Sequence, residues 1–149
     1  MVNTSKSRMT LPTFTLRVER VKIKEFVEAI GEDNPIYRDP DAARVEGYLD
    51  TPCPPTFITL ACQEFTGFYV YALAEVEIPL VRAVHGEEEY EYVQPIYPGD
   101  WLTVAPVIES VVAKQSRSGG LGLVTLRTVV TNQRDEEVMR TRSLIIERK

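Results

Sequence analysis

Residues Pro54–Ala74, PPTFITLACQEFTGFYVYALA, form the longest nearly uncharged run in the chain, with Glu64 its one ionised residue. Phe57, Leu60, Ala61, Phe65, Phe68, Tyr69, Ala72 and Leu73 recur three and four apart, the spacing that gathers side chains on one face of an α-helix. The apolar positions spill beyond a single stripe, and a helix that is apolar nearly all round is a buried one. Pro54 and Pro55 disfavour helix before them and suit a first turn. Thr56 is a fitting cap for the free amides that follow. Gly67 interrupts the run at about 1 kcal/mol relative to alanine, which marks close packing or a kink. The expectation is one long central helix covered by a sheet.

The flanks agree with that picture. Before the run, Thr13–Val18 (TFTLRV) alternates as a strand does. From Arg20 to Ile30 the period changes to helical, with Ile23, Phe26, Val27 and Ile30 on one face and Gly31 as the stop. Asp39 is placed to cap a short helical turn at Pro40–Val45, closed by Gly47, and Tyr48–Pro55 is an irregular connection. After about Glu75 the chain turns to strands: Leu80–Val93, Trp101–Lys114, Leu121–Thr131 and Val138–Glu147. Turns fall at Pro98-Gly99-Asp100, Ser118-Gly119-Gly120 and Asn132–Glu136. Helices followed by a run of antiparallel strands make an α+β fold. Residues 1–11 read as a flexible tail and residues 12–149 as a single domain.

At 149 residues the chain is long enough to build one core. Its hydrophobic share of 44% and charged share of 26% are ordinary for a soluble globular protein. A net charge of −5 without a basic cluster argues against nucleic acid and anionic membrane as partners. The central run is broken by Gln63, Glu64 and Gly67, so it does not read as a membrane span. The polar start lacks the apolar core of a signal peptide, which makes a cytoplasmic location the default. Cys53 and Cys62 match no metal spacing and no disulfide framework, and the single histidine, His85, is distant in sequence from both. No metal or cofactor is expected.

Three motifs give this order a family likeness. They are IGEDNPIYRDPDAA at 30–43, PPTF at 54–57 and HGEEEYEYVQPIYPGDWL at 85–102. Together they resemble the N-terminal-type domain of the MaoC-type dehydratase/hydratase superfamily, which includes the non-catalytic subunits of mycobacterial (3R)-hydroxyacyl-carrier-protein dehydratases. The resemblance spans about residues 12–148. It implies the hot-dog fold, an antiparallel sheet wrapped around a long central helix. It also implies an acyl-CoA or acyl-carrier-protein substrate, and a homodimer or a heterodimer with another hot-dog subunit. In active members the first motif reads G-D-x-N-P-(I/L/V)-H. Its aspartate and histidine activate the water that adds to, or leaves from, the β-carbon of the thioester. A backbone N–H at the helix start polarises the carbonyl, so the chemistry is general acid–base catalysis with an oxyanion site.

Carried over position by position, Gly31, Asn34, Pro35 and Ile36 match. The aspartate position holds Glu32, one methylene longer, and the histidine position holds Tyr37, whose reference pKa of about 10 makes it a poor base at pH 7. Active members carry a histidine–glycine pair where this chain has Pro55 and Thr56. Proline has no N–H to give, so Thr56 N–H and Phe57 N–H are left as candidates for the carbonyl oxygen. Glu32 and Tyr37 are thus the candidate catalytic positions, in degenerate form, and Asn34, Thr56, Phe57 and His85 the candidate substrate contacts. Two plainer readings stand beside these roles: Asn34 as an organiser of its loop, and His85 as a hydrogen-bonded structural residue. The leading reading is an (R)-specific 3-hydroxyacyl-thioester dehydratase or enoyl-thioester hydratase, or its substrate-binding subunit. The rivals are a self-sufficient hot-dog thioesterase-type enzyme and a non-catalytic acyl-CoA binding module.

Overall fold

The computed structural model describes residues 2–59, 67–116 and 119–148. Its elements in chain order are β1 (Met9–Thr10), β2 (Phe14–Arg17), α1 (Arg20–Ala29), α2 (Pro40–Val45), α3 (Phe68–Glu75), β3 (Ala83–Tyr92), β4 (Trp101–Ser116), β5 (Gly119–Thr131) and β6 (Glu137–Arg148). Single 3₁₀ turns lie at Thr4–Lys6, Pro35–Tyr37 and Leu80–Arg82. Helices first and an antiparallel meander last is the α+β order read from the sequence.

All six strands join one antiparallel sheet. The short β1 and β2 share the outer edge of β4, and the order continues β5, β6, β3. β3 is therefore an edge strand, reached by a crossover from the helical half, with Tyr92 opposite Met139 and Ala83 opposite Glu147. The inward faces of β4, β5 and β6 carry Leu102, Val104, Ile108, Val124, Leu126, Val130, Met139 and Ile145, all buried. α3 crosses this face. Phe68 packs against Phe14 of β2 with centroids 6.4 Å apart, and Tyr69 reaches Ser143 of β6 at 2.9 Å.

The central run differs from the single helix expected. Phe57–Ile58–Thr59 is helical, and helix resumes only at Phe68. Gly67 has φ +57, the left-handed conformation that a β-carbon penalises, and it serves as the N-cap of α3. A residue in that conformation cannot carry an α-helix through itself. Leu60, Ala61 and Phe65 of the expected face, Cys62, and Ser118 of the expected hairpin all lie outside the described residues.

The N-terminal stretch expected as a tail makes specific contacts. Val2 and Leu11 are buried, β1 pairs with β4, and Asn3 N–H donates to Val76 O at 3.0 Å. Lys6 meets Glu75 at 3.0 Å, and Ser7 Oγ accepts from Val111 N–H at 2.9 Å. Among the described residues no helix is long and apolar enough to cross a membrane.

Candidate active site

Two helix endings of the same type deliver the site. After α1, Gly31 takes φ +67, its N–H donates to Glu28 O at 3.2 Å, and Glu32 N–H reaches back to Val27 O at 3.0 Å. After α2, Gly47 takes φ +90, its N–H donates to Arg44 O at 3.1 Å, and Tyr48 N–H reaches Ala43 O at 3.0 Å. These are Schellman closures, which need a residue free to adopt positive φ. They fix where Glu32 and Tyr48 leave their helices.

The loop between α1 and α2 is held by its own polar groups. Glu32 Oε1 accepts from Asn34 N–H at 2.8 Å, and Asn34 Oδ1 accepts from Ile36 N–H at 3.1 Å. Arg38 donates two hydrogen bonds to the Glu32 carbonyl, at 2.5 and 3.1 Å. The 3₁₀ turn Pro35–Tyr37 that follows turns Tyr37 inward. Asn34 is thus the loop organiser that its residue type suggests. One Glu32 oxygen is already engaged by a backbone amide two residues on.

Tyr37 opens onto a cavity of about 300 Å³ with Tyr48, Cys53, Pro55, Phe57, Ile58, Tyr92 and Met139 in its wall. Phe57 is buried, edge-on to Phe26 with centroids 5.8 Å apart. Tyr92 Oη donates a short hydrogen bond to Pro55 O, and its ring stacks on Tyr90 at 6.0 Å. Burial, and then the negative charge of Glu32, push the Tyr37 phenol above its usual range. Burial, followed by Tyr90 and Tyr37, pushes Tyr92 up to about 12. Burial, and then Asp100, raise the Cys53 thiol. At neutral pH these groups hold their protons. The wall therefore offers hydroxyl and thiol donors beside apolar surface, and not a general base.

The residues singled out from the sequence do not all converge. Tyr37 and Phe57 meet at this cavity, while Thr56 is exposed at the helix start. Phe57 N–H is spent on Pro54 O at 3.0 Å, so it is not free for a substrate carbonyl. Glu32 is not part of the cavity wall, and Asn34 borders a shallower depression with Ile36, Val45 and Tyr48. His85 lines a separate cavity beneath α3. Its Nε2 lies 2.8 Å from Glu88 Oε2, which fits its structural reading. Tyr48, Cys53 and Tyr92 were not foreseen as site residues. The alternation in EYEYV, with Tyr90 and Tyr92 on one strand face, was a signal for Tyr92. The connection holding Tyr48 and Cys53 carries no periodicity that could have flagged them.

Comparison with known proteins matches this architecture. The family described as FAS1-like, dehydratase domain region, matches residues 8–141. A UPF0336 protein of Streptomyces avermitilis is 37% identical over 128 residues, covering 86% of this chain and 82% of that protein. A UPF0336 protein of Thermobifida fusca is 34% identical over 133 residues, covering 88% and 83%. Among solved structures, the C-terminally truncated HadBC (3R-hydroxyacyl-ACP dehydratase) complex from Mycobacterium tuberculosis superposes with a TM-score of 0.77 at 25% identity, covering 95% of this chain and 96% of that one. The ChsH1–ChsH2 complex from the same organism gives 0.73 at 22%, covering 93% and 84%. The R-hydratase PhaJ1 of Pseudomonas aeruginosa gives 0.63 at 15%, covering 96% and 82%. The chain belongs to the FAS1-like dehydratase domain family, with the MaoC-like hot-dog fold.

Proposed function

We propose that this chain is the acyl-binding subunit of a two-hot-dog enzyme. That enzyme dehydrates (R)-3-hydroxyacyl thioesters of CoA or carrier protein, or hydrates the corresponding enoyl thioesters. The observation that carries the reading is the Tyr37 position. Where active members place a histidine, this chain places a phenol held protonated by burial beside Glu32. Glu32 in turn spends a carboxylate oxygen on the Asn34 amide. The remaining wall groups donate hydrogen bonds and do not take protons at neutral pH, whereas removing a proton from water needs a group poised near the working pH. In this reading Phe57, Ile58 and Met139 receive the acyl chain, and the Tyr37 hydroxyl and Cys53 thiol face its oxygen functions. A second hot-dog chain supplies the aspartate and histidine.

The edge strand supports a second chain. β3 ends the sheet among the described residues, and Val84 and Tyr92 on it are exposed, as is Val93 just beyond it. An unpaired edge of this kind is a template for another strand. HadBC and ChsH1–ChsH2 are both complexes.

The test is hydration of crotonyl-CoA by the pure protein, alone and mixed with a hot-dog partner carrying an intact aspartate–histidine motif. The expected result is background alone and turnover in the mixture. Robust activity of the isolated chain, abolished by Glu32→Ala and by Tyr37→Phe, would overturn the subunit reading.

A further inference from the structure

On a regular strand, residues three apart face opposite sides of the sheet. His85 and Glu88 do not, because the pairing of β3 with β6 slips between His85 and Glu87: His85 stands opposite Ile145, and Glu87 opposite Leu144. Gly86 is the extra residue, a bulge of the kind that re-aims a side chain. A β-carbon there would lie 2.9 Å from Ile146 Cδ1 and 3.2 Å from Leu144 O, so only glycine fits the bulge without displacing β6. The bulge brings His85 Nε2 to 2.8 Å from Glu88 Oε2. The Glu88 side chain is 11% exposed, and Tyr69 Oη donates to the same oxygen at 3.4 Å. Tyr69 is itself tied to the buried Ser143 at 2.9 Å. The imidazole therefore sits at the end of a chain running from β6 through α3 and back to β3.

Beside it is a cavity of 270 Å³ walled by Tyr69, Val70, Leu73, Leu80, Ala83 and Ile145. It shares no residue with the cavity at Tyr37. We propose that this cavity with His85 and Glu88 is a second ligand site, one that takes an aliphatic chain bearing a hydroxyl group. A carboxylate only accepts hydrogen bonds, so Nε2 carries the hydrogen toward Glu88, and Nδ1 of the neutral ring is an acceptor. A carboxylate ligand would set a second negative charge beside Glu88. A carbonyl or ether would set an acceptor against an acceptor. A hydroxyl donates to Nδ1, and the aliphatic wall takes the chain. No group of the proposed dehydratase site takes part, so this site stands or falls by itself.

His85 is the single histidine, so its imidazole gives one resolved set of signals in a proton–carbon NMR spectrum of the full chain. Titration with 1-octanol is expected to shift that set saturably, with octanoate and methyl octyl ether each weaker by about tenfold, the worth of one charge-free hydrogen bond. Val70 is 55% exposed on α3 and lines the cavity. Val70→Trp is expected to fill the space and abolish the shift while circular dichroism stays unchanged. Glu88→Gln, which frees the ring to change tautomer, is expected to erase the preference for the alcohol. The proposal is overturned if octanol gives no saturable shift up to its solubility. It is overturned equally if the shift survives Val70→Trp, or if octanoate binds as tightly as the alcohol.

Discussion

Replacing Arg82 with methionine tests whether an ion pair closed off from water supports the sheet. Glu147 on β6 is 1% exposed, and Arg82 Nη2 lies 2.5 Å from its Oε1. The other carboxylate oxygen lies against Gly122, 2.8 Å from where a β-carbon would be, and Val2 packs over the same glycine. Methionine keeps much of the arginine stem and removes its charge. The carboxylate then stays buried without a cation, a loss that costs about 3–5 kcal/mol. At about 2–4 °C per kcal/mol for a domain of this size, Tm falls by about 6–20 °C. The Arg82 side chain is 39% exposed, so in Glu147→Gln the guanidinium turns to water, and the cost is only about 1–2 kcal/mol. Arg82→Met with Glu147→Leu removes both charges and regains most of the loss. Urea unfolding followed by far-ultraviolet circular dichroism measures all three. If Arg82→Met costs less than about 1 kcal/mol at an unchanged slope, the pair behaves as a surface salt bridge and the reasoning fails.

Three further outcomes are expected. Arg20 grips Asp50 with two hydrogen bonds, at 3.0 and 2.6 Å, and holds its carboxyl below the ordinary value of 3.8. A depressed folded value means that the stabilisation is complete above the unfolded value and is lost as pH falls through the folded one. Asp50→Asn is therefore expected to cost about 0.5–1 kcal/mol at pH 7 in this partly exposed pair, and the gap to the parent to close below pH 3.8, as unfolding curves at both pH values will show. With Cys62 replaced by alanine, the buried Cys53 thiol is expected to react with a disulfide reagent at pH 8 only as fast as the protein opens; a rate equal to that of a free thiol refutes this. Gly47→Ala meets no atom within 4 Å, so its cost is conformational alone, about 1–2 kcal/mol by thermal unfolding, and a neutral result would refute the left-handed closure before Tyr48.

The elements were legible where local chemistry dictates them. Gly31 and Gly47 announced the two helix ends, and Asp39 caps α2 by accepting from Asp41 N–H as its position suggested. Alternation in the last three strands named the buried rows correctly. The break at Gly67 was visible only as a cost, because composition does not say whether a glycine is packed or left-handed. The contacts of Val2 were hidden too: one valine in a polar decapeptide carries no period, and its burial is decided by β5 and β6, far along the chain. The site followed the same rule. Tyr37 and Phe57 were legible through their motifs, whereas Tyr48 and Cys53 join them through long-range packing of an irregular segment. The separation of His85 from Tyr37 is a matter of which end of β3 each cavity adjoins, which residue order alone does not express.

The crossover pairing of β3 has a consequence for biosynthesis. β6 is the last strand to leave the ribosome, and β4 and β5 must be made before it. β3 therefore spends the interval without the neighbour that will hold it, while hairpins between later strands can close at once. A waiting strand of ten residues invites capture by other nascent chains. Four glutamates within it, Glu87, Glu88, Glu89 and Glu91, give that interval a gatekeeper, since mutual repulsion keeps copies apart until β6 arrives.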